Sequence, residues 1–180
     1  MRRKEKEISK EAAESLPAGC RVGRLGTIAK DGRPMIKPLN FAYSAGRIYF
    51  HSARDGEKID DIKRDGRVCF EADLPVAFQR AKDQPCQAGY LYRSVVAKGR
   101  ARIVWDETER MAAFGLLMEK YQPEGGFGGY LPEKLARTEI VRIDVEEMAG
   151  KENLGKGGVR EQAEEILKEV LLPERKIDRS

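Results

Sequence analysis

Residues 47–58, RIYFHSARDGEK, bring an imidazole, a hydroxyl, a flexible turn and an ammonium together over a dozen positions. An apolar strand (Ile48, Tyr49, Phe50) stops at two polar side chains, His51 and Ser52. A turn containing Gly56 follows, and Lys58 opens a short helix-like segment, KIDDIKRD. The first N–H groups of a helix have no partner within it, and the helix dipole puts its positive end there, so such a start favours a bound anion. A lysine adds a point charge suited to phosphate. The same residues also describe a surface turn with a solvated lysine, and on this stretch alone both readings stand. His51, with a reference pKa of about 6.5, is a candidate acid–base group and equally a satisfied strand-end histidine.

The elements that must position these groups read as a run of strands. Ser9 caps a short helix through Leu16, which Pro17 and Gly19 are expected to end. Residues 20–29 read as a strand whose glycines signal a bend or a close backbone contact. Lys30-Asp31-Gly32-Arg33 is a hairpin turn, and residues 34–43 resume as a strand that Pro38 confines to an edge or a bulge. Ser44-Ala45-Gly46 turns into a third strand, 47–52. A helix over 57–64 carries Ile59 and Ile62 on one face, and residues 67–73 form a fourth strand. Residues 74–89, with Pro75 and Pro85, read as a long functional loop. Residues 90–105 form a long strand interrupted near Gly99. The clearest helix spans 106–121, with Asp106 at its cap, Glu109 three residues on, and a stripe of Met111, Phe114, Leu117, Met118 and Tyr121 that reads as core packing. The glycine-rich loop QPEGGFGGY lacks the Lys-Ser/Thr of a phosphate-binding loop. A last strand, TEIVRIDVEEM, precedes a charged helix, VREQAEEILKEVLL, and a polar tail. About six strands without βαβ alternation predict a mainly β protein, a small antiparallel barrel with flanking helices. Residues 1–155 are expected to form the barrel domain and 156–180 a C-terminal helical extension.

Composition removes several classes. The 180 residues suit one domain with an appendage. The net charge of +4, with both signs interspersed, gives no basis for nucleic-acid binding. No apolar run approaches the roughly 20 residues of a membrane span, and MRRKEKEISK has no apolar stretch of the secretory kind. Cys20, Cys69 and Cys86 form no CxxC pair, which points to a reducing cytoplasm and to no zinc site or disulfide framework. A single histidine excludes a multi-histidine metal site within one chain, so no metal is expected. No GxGxxG follows a strand, so no dedicated dinucleotide domain is expected.

Several segments in order, GTIAKDGRPMIKPLNFAY, GRIYFHSARDGEKIDDIKRDGRVCFEAD, YLYRSVVAKGRARIV, a helix ending MEKYQP, and IVRIDVEEMAGKE, resemble the FMN-binding split barrels related to pyridoxamine 5′-phosphate oxidase. Within them the chain is most similar to the nitroimidazole-resistance type. The resemblance covers about residues 20–152, and its specificity lies in HSAxxGxK and YxSVVxxGxA together. It implies a six-stranded antiparallel split barrel, a homodimer, and one FMN in each of two clefts at the dimer interface. By this resemblance Lys58 contacts the flavin phosphate, and Phe50, His51 and Ser52 mark the strand end beside the phosphate and ribityl chain. Lys37, Pro38, Leu39 and Asn40 follow the isoalloxazine edge. Ser94 faces the cofactor from the next long strand, and Val95 helps to wall the ring. Tyr121, Phe127 and Tyr130 are either contacts to the partner's flavin or to a substrate, or loop anchors. The oxidases proper usually carry an Arg-Lys pair where this chain has Glu57-Lys58, which leaves a single obvious cation for the phosphate, with His51 as a further candidate contributor. Their C-terminal Trp-plus-Arg arrangement is missing, which argues against pyridoxamine oxidation. The helix after residue 156 lies outside the match.

The implied activity is a flavin-dependent oxidoreductase that reduces a small organic acceptor, with nitro compounds as the candidate class and a nicotinamide nucleotide as the candidate electron donor. His51 is the one candidate for an acid–base role. The alternatives are a flavin-binding or redox-sensing module without turnover, and a haem-binding barrel with His51 as the sole imidazole ligand.

Overall fold

Caps and turns set by local chemistry fix the ends of several elements. The computed structural model describes residues 4–170, and the side chains up to 169. The elements in order are α1 (Lys10–Gly19), β1 (Gly23–Ile28), β2 (Pro34–Leu39), β3 (Ala42–Ser44), β4 (Arg47–Ala53), α2 (Glu57–Arg64), β5 (Arg67–Gln79), β6 (Gly89–Ile103), α3 (Glu107–Tyr121), α4 (Pro132–Leu135), β7 (Thr138–Asn153) and α5 (Gly158–Val170). Leu171, Leu172 and the polar tail expected after them lie outside the described residues. Among the described residues no helix is long and apolar enough to cross a membrane.

Ser9 caps α1, its Oγ accepting from the Ala12 N–H at 3.2 Å, and Asp106 caps α3, accepting from the Glu109 N–H at 2.7 Å. The first hairpin closes where Asp31-Gly32 was expected to turn it: the Ala29 N–H donates to the Arg33 carbonyl at 2.8 Å, and Gly32 takes φ +84°. The second turns through Ala45 (φ 49°) and Gly46 (φ 75°), two left-handed residues that match the twist of paired strands.

The mainly antiparallel sheet has seven strands, in the order β2-β1-β5-β6-β7-β4-β3, rather than six. β2 stands at one end, which is where Pro38 can sit without breaking a ladder bond. The extra strand arises because residues 34–43 split at Asn40-Phe41. Phe41 turns inward and is fully buried, its N–H bonded to the Tyr121 hydroxyl at 3.0 Å, and β3 then pairs with β4. Three further boundaries move. Pro17 lies within α1, where the last turn tolerates it and Cys20 N–H closes on its carbonyl at 3.3 Å. The expected loop at 74–89 shrinks, because β5 runs on to Gln79 through Pro75 while the inward alternation of Ala72 and Leu74 continues. β6 is unbroken at Gly99, whose hydrogen sits where a Cβ would come 2.1 Å from the Asp144 carbonyl oxygen.

The chain forms two compact units. One takes its described residues from 4–20, 71–96 and 148–170. Within it the Glu152 carboxylate joins Arg93 (2.9 Å) and Arg160 (2.8 Å), and Ala163 and Leu167 of α5 are buried. The other takes residues 21–70 and 97–147. Its core sets Phe41 edge-on to Phe70 at 4.8 Å, and packs Ala113, Phe114 and Leu117 of α3 with Ala42, Tyr49, Val104 and Ile140. Met111 and Tyr121 flank that cluster, as the helical stripe implied. Gly23 is obligatory there, since a Cβ would meet the Phe70 ring at 2.0 Å.

Candidate functional site

The candidate anion site lies in the second unit, where β4 ends and α2 begins. β4 buries Ile48, Tyr49 and Phe50 and then surfaces at His51. Its register against β7 sets His51 opposite Ile140 and Ser52 opposite Glu139. The chain turns at Gly56, the N-cap of α2, with φ 122°. Glycine is the residue that reaches this conformation without strain. It also brings no side chain to cap the helix. Ile59 and Asp60 N–H groups both turn back to the Gly56 carbonyl, so Glu57 and Lys58 are the residues whose N–H groups a helix start leaves for an outside acceptor.

Lys58 is half-buried. Its Nζ stands 5.3 Å from the centre of the Phe50 ring, and no carboxylate among the described residues pairs with it. Burial first, and then the like charge of Lys37, hold its pKa below the usual lysine value. An ammonium kept in such a place is poised to gain from a bound anion. His51 responds to the same surroundings. Although the residue is exposed, partial desolvation and then the Lys58 charge lower its pKa below 6.5. Lys37 comes from β2, where it pairs with Leu25, and its Nζ meets Glu57 Oε2 at 2.5 Å. The structure thus gathers Phe50, His51, Lys58 and Lys37, and adds Glu57, which the sequence offered only as a departure from a family pattern.

The other candidates distribute as follows. Strand alternation gives Lys37 and Leu39 one face of β2 and Pro38, with Ile36, the other. Asn40 is exposed just past the strand, and Ser52 is half-buried one residue beyond His51. Ser94 (half-buried) and Val95 (buried) lie on β6 within the first unit. Tyr121 is an anchor: its hydroxyl donates to the Arg21 carbonyl at 2.8 Å and accepts from the Phe41 N–H. Tyr130 rests 5.4 Å from the Phe114 ring, and Phe127 is exposed.

A buried carboxylate that sequence reasoning missed fixes α2. Asp61 accepts from Thr27 Oγ1 of β1 at 3.0 Å and from Arg64 at 2.8 Å. Burial works to raise its pKa, and the two donors, Arg64 foremost, outweigh it and lower the value. Nothing in KIDDIKRD distinguishes Asp61 from Asp60 except its place beside Ile62 on the inward face. A second missed feature is a cavity of about 110 Å³ lined by Arg54, Val104, Trp105, Arg110, Leu135, Ala136 and Glu139. It falls well short of the roughly 300 Å³ at which ligand pockets begin. Its arginines are engaged, Arg54 with Glu139 and the Ala136 carbonyl (both 2.9 Å) and Arg110 with the Leu135 and Thr138 carbonyls. Lys37 and Lys58 are not among its lining residues.

No curated protein matches the chain by sequence. Among solved structures it is similar to a candidate 5-nitroimidazole antibiotic resistance protein from Bacteroides thetaiotaomicron (24% identity, 81% of this chain and 85% of that one, TM-score 0.70). A FAD-binding protein from Mesorhizobium loti is 26% identical over 82% of this chain and 97% of its own, with a TM-score of 0.61. A FAD and heme binding protein from Mycobacterium smegmatis is 15% identical, covering 83% and 74%, with a TM-score of 0.71. The model of the pyridoxamine 5′-phosphate oxidase family matches residues 9–152, most of the chain. With that span and the split-barrel fold in common, the chain belongs to the pyridoxamine 5′-phosphate oxidase family.

Proposed function

We propose that this protein binds a flavin, FMN foremost, and works as an oxidoreductase on a small organic acceptor, with nitro compounds as the leading class. The observation that carries the reading is Lys58, a half-buried ammonium without a carboxylate partner among the described residues, set at a helix start whose N-cap is a glycine. The residues present fit a flavin phosphate. Lys58 and the first N–H groups of α2 would hold it, with Ser52 and His51 at the adjoining strand end and Lys37 as a second cation. Leu39 and Asn40 offer the apolar surface and the polar edge that a flavin ring system requires, and Phe50, fully buried, packs beneath Lys58. A bound flavin supplies the redox chemistry, and the protein supplies placement and electrostatics. A nicotinamide nucleotide is the proposed electron donor.

A homodimer is part of the same proposal. Ile36, 70% exposed on the end strand β2, gives an apolar surface that a second copy would cover. The three cysteines are free, which suits a reducing, cytoplasmic compartment.

The test is spectroscopic. The purified protein, incubated with FMN and desalted, is expected to be yellow and to bleach with a nicotinamide nucleotide under anaerobic conditions. The colour should return on adding a nitroaromatic acceptor. Retention of flavin without bleaching would reduce the reading to a binding module, a Soret band would turn it to haem, and a colourless protein would remove it.

A further inference from the structure

Glu57 and Lys58 leave the same turn of α2 with opposite charges and different partners. The Glu57 carboxylate reaches across to Lys37 at 2.5 Å, whereas Lys58 has no such partner among the described residues. The two lysines are near enough for Lys37 to perturb Lys58. An anion seated at Lys58 therefore enters the field of two cations, one of them already occupied by a carboxylate. That occupying pair is loosely held: Lys37 and Glu57 side chains are 29% and 53% exposed. Ion pairs of this exposure contribute little, so an incoming anion can compete for Lys37.

We infer that Glu57 is a specificity-determining residue, which disfavours doubly charged phosphate monoesters relative to pyrophosphate-bridged flavins by occupying Lys37 and repelling the second phosphate charge. The inference rests on the flavin reading of the site. A phosphate monoester carries nearly two charges at pH 7, its second pKa lying near 6. Each phosphate of a FAD-type pyrophosphate bridge carries one. Coulombic repulsion scales with charge, so Glu57 opposes FMN more strongly than it opposes either phosphate of FAD. Riboflavin, with no phosphate, is indifferent to it.

Quenching of flavin fluorescence, measured for riboflavin, FMN and FAD at low salt, gives the comparison in the parent protein, Glu57→Gln and Lys58→Ala. Glu57→Gln is expected to tighten FMN about threefold to tenfold, FAD by less, and riboflavin not at all. The gain should shrink in about 0.5 M salt, where the screening length falls to roughly 4 Å. An FMN affinity that is unchanged or weaker in Glu57→Gln, or a gain shared equally by FAD or riboflavin, overturns the inference. Lys58→Ala separates the two claims. If it loses FMN while Glu57→Gln changes nothing, the flavin site stands and the role of Glu57 falls. If the parent binds no flavin, or binds FMN no better than Lys58→Ala does, both fall.

Discussion

Replacing Lys58 with alanine should weaken FMN and leave the fold nearly untouched, and the two effects can be separated by sign. A charge-assisted hydrogen bond contributes about 1.5–3 kcal/mol, and each 1.4 kcal/mol is tenfold in affinity, so one lost ammonium–phosphate contact predicts about a 10- to 100-fold rise in the FMN dissociation constant. The helix-start N–H groups and Lys37 remain, which keeps the loss below complete abolition. For the apo fold, the contact of Nζ with the Phe50 ring at 5.3 Å is lost. Such a cation–π contact is worth about 0.5–1 kcal/mol. Its loss is offset by relief from desolvation and from the Lys37 charge, the two causes that lower the Lys58 pKa. The apo melting temperature should therefore move by only a few degrees. Titration of FMN and riboflavin side by side, with a thermal melt of each apo protein, reads all three quantities. Riboflavin weakened as much as FMN, or FMN unaffected, would refute the phosphate assignment. The pH dependences run in opposite directions. Between the lowered folded value and 10.5, the unfolded chain holds a proton at Lys58 that the folded chain has released, so apo stability from this group rises with pH. FMN affinity falls over the same range, because the ammonium that binds phosphate is disappearing.

Three further outcomes are expected. His51 is the sole histidine, so its ring-proton resonance in an NMR titration is unambiguous; it should titrate below 6.5 in the apo protein and move upward when FMN adds negative charge nearby, and a value unmoved by FMN would place the phosphate elsewhere. Asp61→Ala should cost about 2–3 kcal/mol, or roughly 5–10 °C in a melt, because two hydrogen bonds go and the buried Thr27 hydroxyl loses its acceptor. As the Asp61 pKa is lowered from 3.8, its contribution is present above that pH and lost as acid carries the protein down through the folded value, so the variant and parent should converge at low pH. Gly99→Ala should destabilise by at least about 1–3 kcal/mol in a denaturant titration, since the new Cβ would meet a backbone carbonyl that no rotamer change can move.

What could be read from the residues, and what could not, divides by sequence distance. Ser9 and Asp106 were legible because a cap is settled within three residues. The place of Lys58 at a helix start was legible because turn and cation are contiguous. The split of residues 34–43 was not, because the inward turn at Phe41 is held by the hydroxyl of Tyr121, 80 positions away. Pro75 was overweighted: Ala72 and Leu74 kept alternating inward, and the strand followed the burial pattern rather than the proline. The Lys37–Glu57 pair joins positions 20 apart on different elements, so no local pattern announces it.

The candidate anion site depends on a device outside it. Lys37 lies on β2, which is held to β1 through a register that sets it opposite Leu25. Thr27, two residues further along β1, donates to Asp61, and Arg64 reaches both Asp61 and the Ile28 carbonyl at the end of the same strand. The buried carboxylate therefore fastens α2 to the hairpin that carries Lys37. Without it, Lys37, Glu57 and Lys58 would share a region but not a geometry, and flexible lysines held only by mutual contact at the surface would contribute little. A carboxylate buried next to apolar Ile59 and Ile62 is costly unless its bonds are made. Here they are made across two elements, so the stability they give the fold and the fixed spacing they give the two lysines are one effect.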